Sequence, residues 1–180
     1  MSSNSWVQLL SRQYTDGTAL TNTTTATSII PVAEKFTLPA GILFPGTRLR
    51  VRAAGRISTA AATPGTITFD VRFGSVVVFN GGASPTVATS ASNLTWVLDV
   101  ELECRTYGAS TSATVLGTGT LVSAALSATT PIMLLPASSP AAGTGFDSTA
   151  SQAVDFYATW SVASASNTIT LHDFALSLLN

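Results

Sequence analysis

Charge is scarce in this chain. Lys, Arg, Asp and Glu make up 9% of its 180 residues, against roughly a quarter in an average soluble domain. The 8 basic and 9 acidic residues leave a net charge of −1. Neutralising a run of phosphates takes a basic surplus, so neither a nucleic acid nor an anionic membrane surface is an expected partner. The single cysteine, Cys104, excludes an internal disulfide framework and any multi-cysteine zinc site. The single histidine, His172, excludes a site built from two imidazoles of one chain. No apolar run approaches the ~18 residues of a membrane-spanning helix. Met1–Ser5 hold no positive charge and no apolar stretch follows them, so no secretory signal is expected.

Small hydroxyl and methyl side chains take the place of charge. The chain holds 28 Thr, 22 Ser and 26 Ala, and its mean hydropathy is +0.39. A surface made of such residues loses little side-chain entropy when covered. It suits a protein packed against neighbours, and a homo-oligomer is expected. No cofactor is implied.

The pattern is that of strands. Residues 47–58 alternate, with Leu49, Val51 and Ala53 on one face and Arg48, Arg50 and Arg52 on the other. Residues 66–73 turn Ile67, Phe69, Val71 and Phe73 inward. Residues 94–106 form the longest alternating run, with Trp96, Leu98, Val100, Leu102 and Cys104 opposite Asp99, Glu101, Glu103 and Arg105. Further strands are expected over 28–38, 75–79, 113–123, 131–136, 153–162 and 168–179, punctuated by Gly and Pro turns. Asn80-Gly81-Gly82 is expected to end the 75–79 strand. The phase slips at His172-Asp173, which predicts a bulge. Gly55 marks a bulge or a close approach of backbone. These features predict an all-β fold, a single antiparallel β-sandwich with jelly-roll-like topology. An immunoglobulin-like sandwich is the alternative, although the Cys…Trp…Cys spacing is absent. Residues 28–180 are expected to form this domain. Residues 1–27, with Trp6, Leu9, Leu10 and Tyr14 and a Thr-rich stretch, are expected to be an arm or linker that docks on a neighbour through Trp6; the alternative is that residues 5–14 form the first strand or a short helix of the same domain.

Candidate chemistry is thin. His172 is the one possible triad base, Asp173 points to the opposite face of a regular strand, and no Gly-x-Ser-x-Gly elbow is present. Asp99, Glu101 and Glu103 lie about 6.8 Å apart along one strand face. Carboxylates so placed can serve glycoside hydrolysis or hold Ca²⁺. Yet the aromatics that grip a sugar fall at core positions, and no Asp-x-Asp-x-Asp-Gly loop is present. Neither an enzyme nor a metal site is expected. The informative feature is the pair of rows, Arg48/Arg50/Arg52 and Asp99/Glu101/Glu103. Rows of opposite charge favour one another as cross-strand neighbours. They pair either between two strands of one sheet or between subunits, where they would fix register. These six residues and Trp6 are the candidate subunit or capsid contacts.

The stretch LPAGILFPGTRLRVRAAGRISTAAATPGTITFDVRFGSVVVFNGG resembles a family of small virion proteins of tailed bacteriophages. The later stretch IMLLPASSPAAGTGFDSTASQAVDFYATWSVASASNTITLHDF is similar to it as well. Its markers are Phe44-Pro45-Gly46, Ala54-Gly55-Arg56-Ile57-Ser58, Thr63-Pro64-Gly65-Thr66 and Gly143-Thr144-Gly145-Phe146-Asp147-Ser148, and the likeness spans most of 28–180. It implies a non-enzymatic β-sandwich located on the virion after assembly in the host cytoplasm. The role it implies is a capsid decoration or cement protein that binds the major capsid protein or other virion proteins, with a trimer as the expected homo-oligomer because it matches the local three-fold positions of an icosahedral shell. The alternative is a tail-associated or receptor-binding protein. No catalytic motif carries over.

Overall fold

The computed structural model describes residues 6–126 and 131–179. The chain folds into two antiparallel sheets packed face to face, the all-β sandwich expected. The larger sheet has seven strands. They are β1 (Val7–Arg12), β2 (Leu20–Thr21), β5 (Arg48–Ser58), β8 (Leu94–Thr106), β9 (Thr114–Ser123), β10 (Ile132–Leu135) and β12 (Thr168–Leu179). Their order is β1-β12-β5-β8-β9-β10, with β2 also on β12. The smaller sheet has β3 (Thr27–Ser28), β4 (Phe36–Leu38), β6 (Ile67–Phe73), β7 (Val76–Ala83) and β11 (Gln152–Trp160). Its order is β3-β11-β6-β7, with β4 also on β11.

Period-two alternation puts one apolar face of each sheet into the core. Trp96 and Phe174 from the larger sheet meet Phe69 and Phe156 from the smaller one. Ring centroids lie 4.9 Å apart for Phe69–Trp96, 5.4 Å for Phe69–Phe156 and 6.1 Å for Phe156–Phe174. Leu98, Val100, Val71 and Trp160 are buried in the same core. Aromatic pairs at this spacing add about 0.5–1.5 kcal/mol beyond their area burial.

The predicted bulge is present. The register of β12 against β5 shifts between Leu171 and Asp173, opposite Gly55 and Ala54. Gly55 allows it, because a Cβ there would lie 1.9 Å from the Thr170 carbonyl oxygen.

Three expectations change. Residues 28–38 are not one strand. Pro31 precedes a 3-10 turn at Val32–Glu34, and only the short β3 and β4 flank it; proline gives no N–H to a ladder. β7 does not stop at Asn80 but runs to Ala83. Register shifts opposite β6 absorb the turn-like residues, and the Asn80 side chain accepts the Gly82 N–H at 2.8 Å. Residues 7–12 and 20–21, expected within an arm or linker, pair with β12 of the same chain, so that 7–12 are the first strand of the domain, the alternative reading of that segment. β1 shows little alternation because it is an edge strand with most residues exposed. Buried Leu20 and Gln13 fasten the segment, the Gln13 Nε2 donating to the Leu171 carbonyl at 3.1 Å. The first five residues of the expected arm lie outside the described residues.

Candidate functional site

The candidate contact residues converge on the outer face of the larger sheet. β5 and β8 are direct neighbours, and their register places Arg48 opposite Glu103, Arg50 opposite Glu101 and Arg52 opposite Asp99. The side chains reach diagonally as well as straight across. Arg50 Nε donates to Asp99 Oδ1 at 2.8 Å, with a second bond from its Nη2 to the other carboxylate oxygen. Arg52 lies 3.6 Å from the same carboxylate. Arg48 spans Glu103 at 3.3 Å and Glu101 at 3.8 Å, and Arg105 reaches Glu103 at 3.3 Å. The two rows therefore pair within one chain. The forked Asp99 bond pushes the Arg50 guanidinium further up from its already high range. Exposed pairs of this kind contribute about 0.2–1 kcal/mol each.

The same face carries Arg56 on β5, and Arg12 of β1 lies 4.0 Å from Asp173 of β12. Six of the eight basic residues thus stand on one face, among four carboxylates. Leu9, Arg12, Arg52, Val97 and Asp173 rim a shallow depression there, floored by Ala54 and Ala175. Trp6 sits at the margin, ahead of β1, and is exposed.

The other charges are local. On the outer face of the smaller sheet, Asp155 accepts from the Ser28 hydroxyl at 2.6 Å and from the Lys35 ammonium. Asp70 accepts from Arg72 Nε at 2.6 Å, and the Arg72 guanidinium lies 3.8 Å over the Tyr157 ring. The Asp70 bond raises the Arg72 guanidinium further. His172 Nδ1 pairs with Asp16 at 2.7 Å rather than with Asp173. Among the described residues no Ser or Thr hydroxyl bonds to this imidazole, and no group of three metal-ligating side chains is assembled. Cys104 is buried in the core, and burial pushes its thiol up, away from the reactive thiolate.

Two surface features were not read from the sequence. The first is apolar. Val97, Val122 and Ile132 lie side by side across β8, β9 and β10, and Leu134 follows one pair along, beside Thr120. All four side chains are exposed, Ile132 to 60% and Leu134 to 72%. The run 131–136 is apolar on both faces, so no alternation marks which side is outward. The second is an aromatic stack at one end of the sandwich. Phe44 and Tyr107 have centroids 5.0 Å apart, an interplanar angle of 16°, and exposures of 52% and 42%. They come from two separate loops. Gly46 N–H bonds to the Cys104 carbonyl at 2.9 Å. Buried Ser148 binds Gly41 through its carbonyl at 2.8 Å and Gly108 through its hydroxyl at 2.9 Å. Next to it Asp147 accepts from the Thr149 hydroxyl and N–H, which lowers its pKa. No family model, curated protein or solved structure matches the chain.

Proposed function

We propose that this protein is a non-enzymatic structural component of a bacteriophage virion. In this reading it is a capsid decoration protein, present in many copies, that binds the head shell and stabilises it. The observation that carries the reading is the distribution of charge. Most ionisable groups are gathered on one sheet face, and those of the smaller sheet are locked to one another. The remaining surface is largely Ser, Thr and Ala, which is cheap to cover with neighbours. The resemblance over 28–180 supports the same role. The test is electron microscopy of intact particles carrying labelled protein. Label spread over the head is the expected result. Label absent from particles overturns the proposal.

A second reading is favoured by the Phe44–Tyr107 stack. Exposed aromatics on rigid loops at one end of a sandwich are what a tail-tip or receptor-binding protein presents. It predicts label at the tail, and loss of host-cell adsorption when Phe44 and Tyr107 are both changed to Ala while particle assembly is unaltered.

A further inference from the structure

We infer that β10 is a self-pairing edge, at which two copies of this chain join their larger sheets across a two-fold axis at Met133. Direction of the backbone groups carries the inference. The Ser123 N–H bonds to the Pro131 carbonyl at 2.8 Å, so 123 and 131 form a hydrogen-bonded pair. With the register Ile132↔Val122, Met133↔Leu121, Leu134↔Thr120 and Leu135↔Gly119, alternation makes Met133 and Leu135 the next residues bonded to β9. The N–H and C=O groups of Ile132 and Leu134 therefore point away from the sheet. Among the described residues no strand pairs with that side of β10. Pro131 does not block the edge, since its missing N–H faces β9.

The same two residues bear the exposed side chains of the apolar corner. An antiparallel copy centred on Met133 sets Ile132 opposite Leu134 of the second copy, and Leu134 opposite its Ile132. Both are hydrogen-bonded pairs, giving four backbone bonds, and every outward group of the two residues finds a partner. On the outer face the row Val97–Val122–Ile132 continues into the second copy's Leu134. No charged side chain stands on β9 or β10, so the two-fold brings no like charges together.

The opposite edge of the sheet is guarded. β1 has a register break between Leu9 and Ser11 and carries Arg12, both devices that discourage strand addition. β10 has neither. The four exposed side chains present on the order of 350 Å² of apolar surface per copy, within the roughly 300–600 Å² that the largest patch of an ordinary monomer spans. Doubled, it falls below the roughly 1,200–2,000 Å² of a free-standing complex. The contact is therefore a weak lateral one, suited to copies already held close together. Being two-fold, it joins copies in pairs and does not build a trimer. It rests on edge geometry alone and is independent of the virion reading.

Register-specific cross-linking tests it. Residues of a hydrogen-bonded antiparallel pair have Cα atoms about 5.5 Å apart, inside the roughly 4.4–6.8 Å window of a disulfide. Ile132→Cys combined with Leu134→Cys thus places two thiol pairs in range. In either single variant the like residues are diagonal neighbours about 7–8 Å apart, which a disulfide does not span. With oxidised glutathione at millimolar protein, the double variant should give at least about ten-fold more cross-linked dimer than either single variant. That trapped dimer should melt like the wild-type fold. Circular dichroism of each variant before oxidation verifies that it is folded. A further variant, Leu134→Lys in the wild-type chain, keeps the exposed position but places charge in the patch. It should abolish concentration-dependent pairing in sedimentation at low salt. No dimer from the folded double variant, or equal dimer from the single variants, overturns the inference.

Discussion

Asn167 is completely buried in the connection between β11 and β12, at the end of the sandwich opposite Phe44 and Tyr107. Its Oδ1 accepts the Ala60 N–H at 2.9 Å, and its Nδ2 donates to the Pro64 carbonyl at 2.8 Å and the Val162 carbonyl at 3.1 Å. One amide thus ties the β5–β6 loop to the β11–β12 loop. Asn167→Ala removes all three bonds and leaves the partners facing a gap. At about 1 kcal/mol per bond, with a small cavity added, the loss is about 3–4 kcal/mol. For a domain of this size 1 kcal/mol moves Tm by roughly 2–4 °C, so a fall of about 10 °C is expected.

Asn167→Asp separates shape from hydrogen bonding. A carboxylate still accepts from Ala60, but it faces two carbonyl oxygens that need donors. Only the protonated acid can donate, so burial and these carbonyls raise the folded-state pKa of Asp at this position above its ordinary value of about 3.9. The unfolded chain then releases its proton first as pH rises. The variant is least impaired below about pH 4 and loses stability progressively as pH rises from there toward the folded-state pKa. Thermal melts of wild type and both variants at pH 3.5 and pH 7 read this directly, taken as differences from wild type. The Asp gap should widen with pH and the Ala gap should stay flat. A flat Asp gap, or an Ala loss below about 2 °C, would refute the role assigned to the amide, given the roughly 2–4 °C per kcal/mol scale.

Three further outcomes are expected. Trp96→Ala empties a site walled by Phe69 and Phe156 and should cost about 3–5 kcal/mol in urea unfolding; an unchanged midpoint would overturn its core placement. Asp99→Asn removes the shared partner of Arg50 and Arg52 and should cost about 1 kcal/mol or less, shrinking as salt is raised, whereas a loss of several kcal/mol would mean the row is not a solvated one. Cys104, buried with its thiol pushed up, should resist iodoacetamide in the folded protein and react on unfolding; rapid labelling of native protein contradicts the burial.

The strands most legible in the sequence are those with one charged and one apolar face. β5 and β8 declared their orientation through Arg48 to Arg52 and Asp99 to Glu103, and the opposite signs of the rows anticipated that the strands are neighbours. The bulge at His172 was legible because Leu171 and Phe174 both had to face inward. Legibility fails where the pattern lacks contrast. β10 is apolar on both faces, so its exposed Ile132 and Leu134 look like core. β1 is an edge strand with no buried face to impose alternation. β7 crosses Asn80-Gly81-Gly82 because bulges opposite β6 take up residues that by themselves spell a turn. The Phe44–Tyr107 stack joins two distant loops, and no local pattern reports such a contact.

Salt separates the two ways in which this molecule can meet a neighbour. A contact made through the outer face of the larger sheet must disturb arginines and carboxylates that already satisfy one another, and its strength rests on exposed charge. Raising ionic strength shortens the Debye length from about 10 Å at 0.1 M to about 3 Å at 1 M, so association through this face weakens over that range. The β10 corner holds Val97, Val122, Ile132 and Leu134 with no charge on its two outer strands, and its bonds are between backbone groups. Association there should persist or strengthen in a salt such as sulfate, which favours apolar burial. Sedimentation of the purified protein at high concentration, followed from low to high sodium sulfate, assigns the contact between copies. Weakening points to the arginine and carboxylate rows, and persistence in wild type with loss in Leu134→Lys points to the β10 edge.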